Sequence, residues 1–168
     1  MRQNLNTQYR SSFLKQVACV AVVALSSASG FALPSDRNQQ LSLAAENATY
    51  NSKTGITTYT GNVVIEQGTM KLQADSLVAT LNSKNEIQTI TAKGKPAKFQ
   101  QQIEANKGLA RGEAQNIVYN ADTGIITLTG NAYLYQDGSS IRGNRLKYSM
   151  NKGDVEAQGS SSNRIQII

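Results

Sequence analysis

The sequence repeats itself once. Residues 45–77 align with residues 114–146 at a constant offset of 69, without a gap, and 13 of the 33 pairs are identical. The shared pairs include Asn47/Asn116, Tyr50/Tyr119, Asn51/Asn120, Gly55/Gly124 and Gln67/Gln136. They are densest where Thr60-Gly61-Asn62 meets Thr129-Gly130-Asn131. Two copies held in register over this length should form the same local structure, so the fold must accommodate the unit twice. A period of this size is too long for one rung of a solenoid.

Each copy reads as antiparallel strands. Asn51 to Gly55 and Asn120 to Gly124 are turn segments, because Asn tolerates and Gly freely adopts the left-handed backbone region. The Ile- and Thr-rich stretches from Ile56 and Ile125 suit a pleated surface. Gly61-Asn62 and Gly130-Asn131 then read as hairpin signals. Beyond them, Leu72, Ala74, Leu77, Ala79 and Leu81 alternate with polar neighbours at the period of a strand. Strands of about five residues, with turns every eight to twelve, predict an all-β sandwich, jelly roll or related roll. Gln100 to Gly108 is the one helix candidate.

The N-terminus has a different character. Arg2, Arg10 and Lys15 form a positive region without acids, and Val17 to Leu25 is apolar. Gly30-Phe31-Ala32 places small residues three before and immediately before a cut after Ala32. This pattern predicts residues 1–32 as a cleaved signal peptide and 33–168 as a single β domain. A nine-residue apolar run is too short to span a bilayer, which takes about 20 residues. Ser26-Ser27-Ala28 offers a second cleavage site. Cys19 lies at the start of the apolar run, so it reads as part of the signal and not as a lipid attachment site.

The predicted mature chain keeps 14 basic residues against 11 acidic ones, a formal charge of +3. That is a mild attraction to anions, and with export it argues against nucleic acid as a partner. The mature chain has no His and no Cys. This removes Ser-His-Asp and Cys-His catalysis, as well as zinc or copper sites built on imidazole or thiolate. No phosphate-binding glycine loop and no GxSxG motif is present. The carboxylates are dispersed, and several sit in turns. The reading is therefore a binding protein without a cofactor, not an enzyme, although a glycosidase-like carboxylate pair stays open. Lys93, Lys95 and Lys98 cluster around Gly94 and Pro96, as a solvated loop or as a contact for an anionic head group. Apolar filling comes from aliphatic residues, with no Trp. It forms either a thin, tight core or an aliphatic space for a guest.

The segment from Thr60-Gly-Asn-Val-Val-Ile through Met70-Lys-Leu-Gln-Ala-Asp75 closely resembles the OstA-like motif of the lipopolysaccharide transport family. Gly94-Lys-Pro-Ala-Lys-Phe99, Thr129-Gly-Asn-Ala-Tyr-Leu134 and Ile141-Arg-Gly-Asn144 resemble its later blocks, in order. The likeness extends over roughly Leu41 to Gln158. A short domain behind a cleavable signal is similar to the family's periplasmic bridge members. It differs from the anchored inner-membrane member and from the barrel-bearing outer-membrane member.

The resemblance implies an open, twisted β-jelly-roll of short antiparallel strands, located in the periplasm. It implies a groove that shields the lipid A acyl chains of lipopolysaccharide and a bridge between inner and outer membranes. Partners would be lipopolysaccharide, further copies of the chain joined head to tail, and the inner- and outer-membrane OstA-like domains of the same transport system. Lipid contacts carry over to Leu41, Leu43, Phe99 and Tyr119. Alternation adds Val63, Ile65, Leu72, Leu77, Ile117 and Leu134. An open roll leaves strand edges unpaired at both ends. Leu41 and Leu43 at one end, with Ile165, Ile167 and Ile168 at the other, are the expected oligomer interface. The competing reading is a structural or adhesive periplasmic β-repeat protein without lipid cargo.

Overall fold

The computed structural model describes residues 39–40, 42–102, 108–149 and 154–168. Every regular element among them is a strand: β1 (Ser42–Ala44), β2 (Asn47–Asn51), β3 (Ile56–Gln67), β4 (Met70–Leu81), β5 (Ile87–Gln102), β6 (Leu109–Asn120), β7 (Ile125–Gln136), β8 (Ser139–Ser149), β9 (Val155–Gln158) and β10 (Gln166–Ile167). They form one antiparallel sheet. From β3 to β8 each strand pairs with the next; β1 and β2 both lie on β3, and β9 and β10 both lie on β8.

The repeat survives as register. Ala44 faces Val64 and Asn47 faces Thr60, as Glu113 faces Tyr133 and Asn116 faces Thr129. Val63 faces Ala74 as Ala132 faces Gly143. The broken strand β1–β2 is thus the counterpart of the continuous strand β6. Turn chemistry repeats as well. Asn51 Oδ1 accepts from the Lys53 amide at 3.0 Å, and Asn120 Oδ1 accepts from the Thr123 amide at 3.0 Å. Asp137-Gly138, with φ of 51° and 84°, forms a two-residue hairpin turn.

The fold class is the expected one, but the strands are longer than the sequence suggests. β3, β4, β6 and β7 each run for 12 residues and β5 for 16. Gly61-Asn62 and Gly130-Asn131 do not reverse the chain. They are bulges inside β3 and β7, with φ of 81° and 44° and of 82° and 50°. Hairpin turns and such bulges both need positive φ, so the same residue pair serves either. Of the helix candidate, Gln100 to Gln102 belong to β5, and residues 103–107 lie outside the described part. The basic cluster is also no loop: Lys93, Lys95 and Lys98 are exposed on β5 around its own bulge. Among the described residues no helix is long and apolar enough to cross a membrane.

The bulges are aligned. Register breaks at Thr60/Val63, Gln73/Ser76, Lys93/Ala97, Glu113/Asn116 and Thr129/Ala132, the same level of five successive strand pairs. A bulge bends and twists its strand. A line of bulges therefore folds the whole sheet over along one crease, and each long strand contributes to both layers. The crease is lined by small buried residues, Ala74, Ala97, Ala114, Ala132 and Gly143, where the layers converge and larger side chains would not fit.

Candidate functional site: an apolar column between two layers

One layer directs Tyr59, Leu77, Ile117, Tyr119, Leu128 and Leu146 inward; the other directs Val63, Ile65, Leu72, Phe99 and Leu134. Their burial follows from the period-2 alternation of each strand, restarted after each bulge. Two apolar clusters result. The first joins Tyr59, Leu77 and Ala79 to Val63 and Ile65. The second gathers Ile117, Tyr119, Ile126 and Leu128 with Ala132, Leu134 and Leu146. Leu72 and Ile90 pack against both, so the clusters form one continuous column across the repeat boundary.

Of the residues expected to line a groove, Val63, Ile65, Leu77, Ile117, Tyr119 and Leu134 lie in this column at 1–5% exposure. Leu43, Leu72 and Phe99 are half-buried at its flank. Leu41 lies outside the described residues. The structure brings together all that it describes, from both layers. Sequence reasoning missed Tyr59, Leu128, Leu146 and Tyr148, which are equally buried. The repeat offset held the signal: adding 69 to Leu77 gives Leu146.

The column is almost without charge. Burial pushes the pKa of the Tyr59 hydroxyl up, because the phenolate would lose its water. Ionic groups stay outside. Lys71 pairs with Glu66 at 2.7 Å, Lys147 with Glu156 at 3.2 Å, and Lys98 stands 3.8 Å from Glu113. The Arg142 guanidinium stacks 4.3 Å above the Tyr133 ring, also on the outer side. An open cleft at the bulges is lined by Asn62, Gln73, Asp75 and Lys98 together with Val63, Val64, Ala74 and Pro96.

Two features make the column a candidate site for elongated apolar ligands. Among the described residues no backbone ladder joins the turn ends of one layer to those of the other, so the roll is closed only along its crease. The inner surface is mostly aliphatic over the length of the sheet, with the rings of Tyr59, Phe99, Tyr119 and Tyr148 set among Leu, Ile, Val and Ala.

The family model described as "LptA/(LptD N-terminal domain) LPS transport protein" matches residues 42–154. The chain is 31% identical over 155 residues to the lipopolysaccharide export system protein LptA of Haemophilus influenzae, covering 91% of this chain and 90% of that protein. It is 28% identical to the lipopolysaccharide export system protein LptH of Pseudomonas aeruginosa, covering 84% of this chain and 81% of that one. The crystal structure of LptH, titled as the LptA homologous periplasmic component of the lipopolysaccharide transport device of that organism, superposes with a TM-score of 0.71. The match has 25% identity and covers 80% of this chain and 98% of that one. With its register, its creased open sheet and these matches, the chain belongs to the LptA/LptD N-terminal domain family of lipopolysaccharide transport proteins.

Proposed function

We propose that the protein is a periplasmic carrier that holds the acyl chains of lipopolysaccharide in its apolar column and passes them along, without catalysing a reaction. The observation that carries this is the continuity of the column across both repeats, combined with an open side. Acyl chains entering it leave water at about 0.8 kcal/mol per methylene, while sugars and phosphates stay in solvent near the exposed lysines of β5. In the structure the inner side chains pack on one another, so the two layers part along their open side to admit a ligand. Residues 1–32 direct the domain to the periplasm, and their removal releases it there.

The same reading includes head-to-tail assembly, which extends one column into the next. The natural joint pairs the end carrying Ile165, Ile167 and Ile168 with the end carrying Leu41 and Leu43 of another copy. The anchored inner-membrane and outer-membrane domains of similar fold would dock on the same two edges.

Photo-crosslinking in cells tests cargo. Probes at Leu43, Phe99 and Tyr119 are expected to capture lipopolysaccharide, and a probe at the exposed turn residue Lys84 is not. Equal capture at all four positions, or capture at none, would favour a structural β-repeat protein whose inner residues only pack against each other.

A further inference from the structure

The internal repeat offers a residue-by-residue template for a joint between copies; its use rests on the head-to-tail reading above. Inside the molecule, the last strand of the first unit, β5, pairs with the first strand of the second, β6. The free C-terminal edge is a second version of β5. Val155 and Ala157 face Tyr148 and Leu146, as Ile90 and Ala92 face Ala79 and Leu77. Gln166 and Ile167 face Arg142 and Ile141, as Lys98 and Phe99 face Gln73 and Leu72. The free N-terminal edge, β1–β2, is a second version of β6, as its register on β3 shows. One molecule therefore contains a finished copy of the joint and the two unfinished halves of another.

Exposure marks those halves. Tyr50 is 57% exposed, whereas its equivalent Tyr119, covered by β5, is 3% exposed. Ile165 and Ile167 are 43% and 74% exposed, at the places that Ala97 and Phe99 occupy beneath β6. Tyr50, Ile165 and Ile167 become covered once the internal pairing is repeated between two copies; Ile168, the other large exposed apolar residue among the described residues, follows Ile167 on the C-terminal edge.

The joint differs from its template at one point. The bulge on β5 spans residues 94–96, opposite Gln115. At the C-terminal edge the same place is filled by residues 159–164, three residues longer, ending in exposed Arg164. On the N-terminal edge, in the place of Gln115, stands exposed Glu46. Its carboxylate accepts from Asn62 Nδ2 at 2.7 Å and lies over Gly61, as the Gln115 amide lies over Gly130. Neutral Gln115 is thus replaced at the free N-terminal edge by a carboxylate, while the Gly94-Lys95-Pro96 bulge is replaced at the C-terminal edge by a longer segment that keeps a cation, the Arg164 guanidinium.

We propose that the partner on these edges is a second copy held in the β5–β6 register, with Arg164 of one copy answering Glu46 of the next. Val155 then lies opposite Tyr50, Ala157 opposite Ala48, Ile165 opposite Ala45 and Ile167 opposite Leu43. The charge pair penalises slipped registers and joints between two like ends.

Two measurements on the full chain in a Cys19→Ser background test this. In the first, a chain carrying Leu43→Cys is mixed with differently tagged chains carrying cysteine at 165, 166, 167 or 168 in turn, and disulfide-linked dimer is quantified. The yield is expected to peak at Ile167→Cys, and with Tyr50→Cys it is expected to peak at Val155→Cys over Ala157→Cys. A peak elsewhere, while light scattering still reports oligomers, overturns the register and leaves head-to-tail assembly standing. A monomer at every concentration overturns both. In the second, Glu46→Arg and Arg164→Glu are each expected to weaken association roughly three- to tenfold, and the double variant to recover it. Two harmless single reversals, or a double variant as weak as the singles, remove the charge pair from the joint.

Discussion

At the scale of single residues, the tightest constraint is the contact between Phe99 and Gly112. They face each other across β5 and β6, and a Cβ on Gly112 would overlap the edge of the Phe99 ring at Cε1. The missing side chain is the seat of the aromatic one. Gly112→Val is expected to eject Phe99 from the column flank and destabilise the protein by about 1–3 kcal/mol, the usual range for overpacking. The same change made on Phe99→Ala is expected to cost much less, because the clash has gone. Denaturant unfolding of the four variants measures the coupling, and additive effects would mean that the ring does not need the space over Gly112. In the first copy this position is Leu43, which among the described residues has a strand, β3, on one side only. Gly112 and Leu43 are thus the same place in the repeat, one with a phenylalanine above it and one waiting for an apolar residue.

At the scale of elements, the bulges decide the architecture. A straight strand of 12 residues would make a flat, two-faced sheet with one apolar side in water. The bulge turns the two halves of the strand so that both apolar sides face inward. Gly61 and Gly130 supply the positive φ this requires, and each also lies beneath a side chain, Glu46 from the break between β1 and β2 or Gln115 from β6. Gly130→Ala is expected to cost about 1–3 kcal/mol, through backbone strain plus displacement of Gln115. Gly138→Ala gives the comparison. Its φ is also positive, at 84°, but nothing lies within 4 Å of an added Cβ, so it should cost less. Thermal or chemical unfolding of the two variants separates the terms, and equal losses would show that only the backbone matters.

At the scale of the whole molecule, the sheet ends twice without a partner among the described residues. An unpaired edge with apolar side chains is an aggregation hazard unless it is an intended joint. Here the two edges differ in sequence, and joined as proposed above they couple unlike surfaces, a geometry that propagates instead of closing. Deleting Ile165–Ile168 removes β10 and with it the exposed apolar residues of one edge. The truncated chain is expected to shift from concentration-dependent oligomers towards monomer in light scattering while keeping its β circular dichroism. Unchanged oligomers would place the joint elsewhere.

By itself the sequence determined the class of structure and the identity of the unit. Alternation is a local property of a strand, turn residues act within a few positions, and an ungapped repeat imposes one register on both copies; none of these depends on distant parts of the chain. The family motif was legible for the same reason, since it is a run of strand and bulge residues. Tertiary structure alone decided strand length, because Gly-Asn satisfies a hairpin and a bulge equally and the choice depends on what packs on either side. It also decided which apolar residues share a column: Leu77 and Val63 lie on adjoining strands, yet they meet only because an alanine-lined crease folds one layer over the other. The unequal fate of Tyr50 and Tyr119 makes the same point. Their local sequences are alike, and only the strand that covers one and not the other sets their exposure.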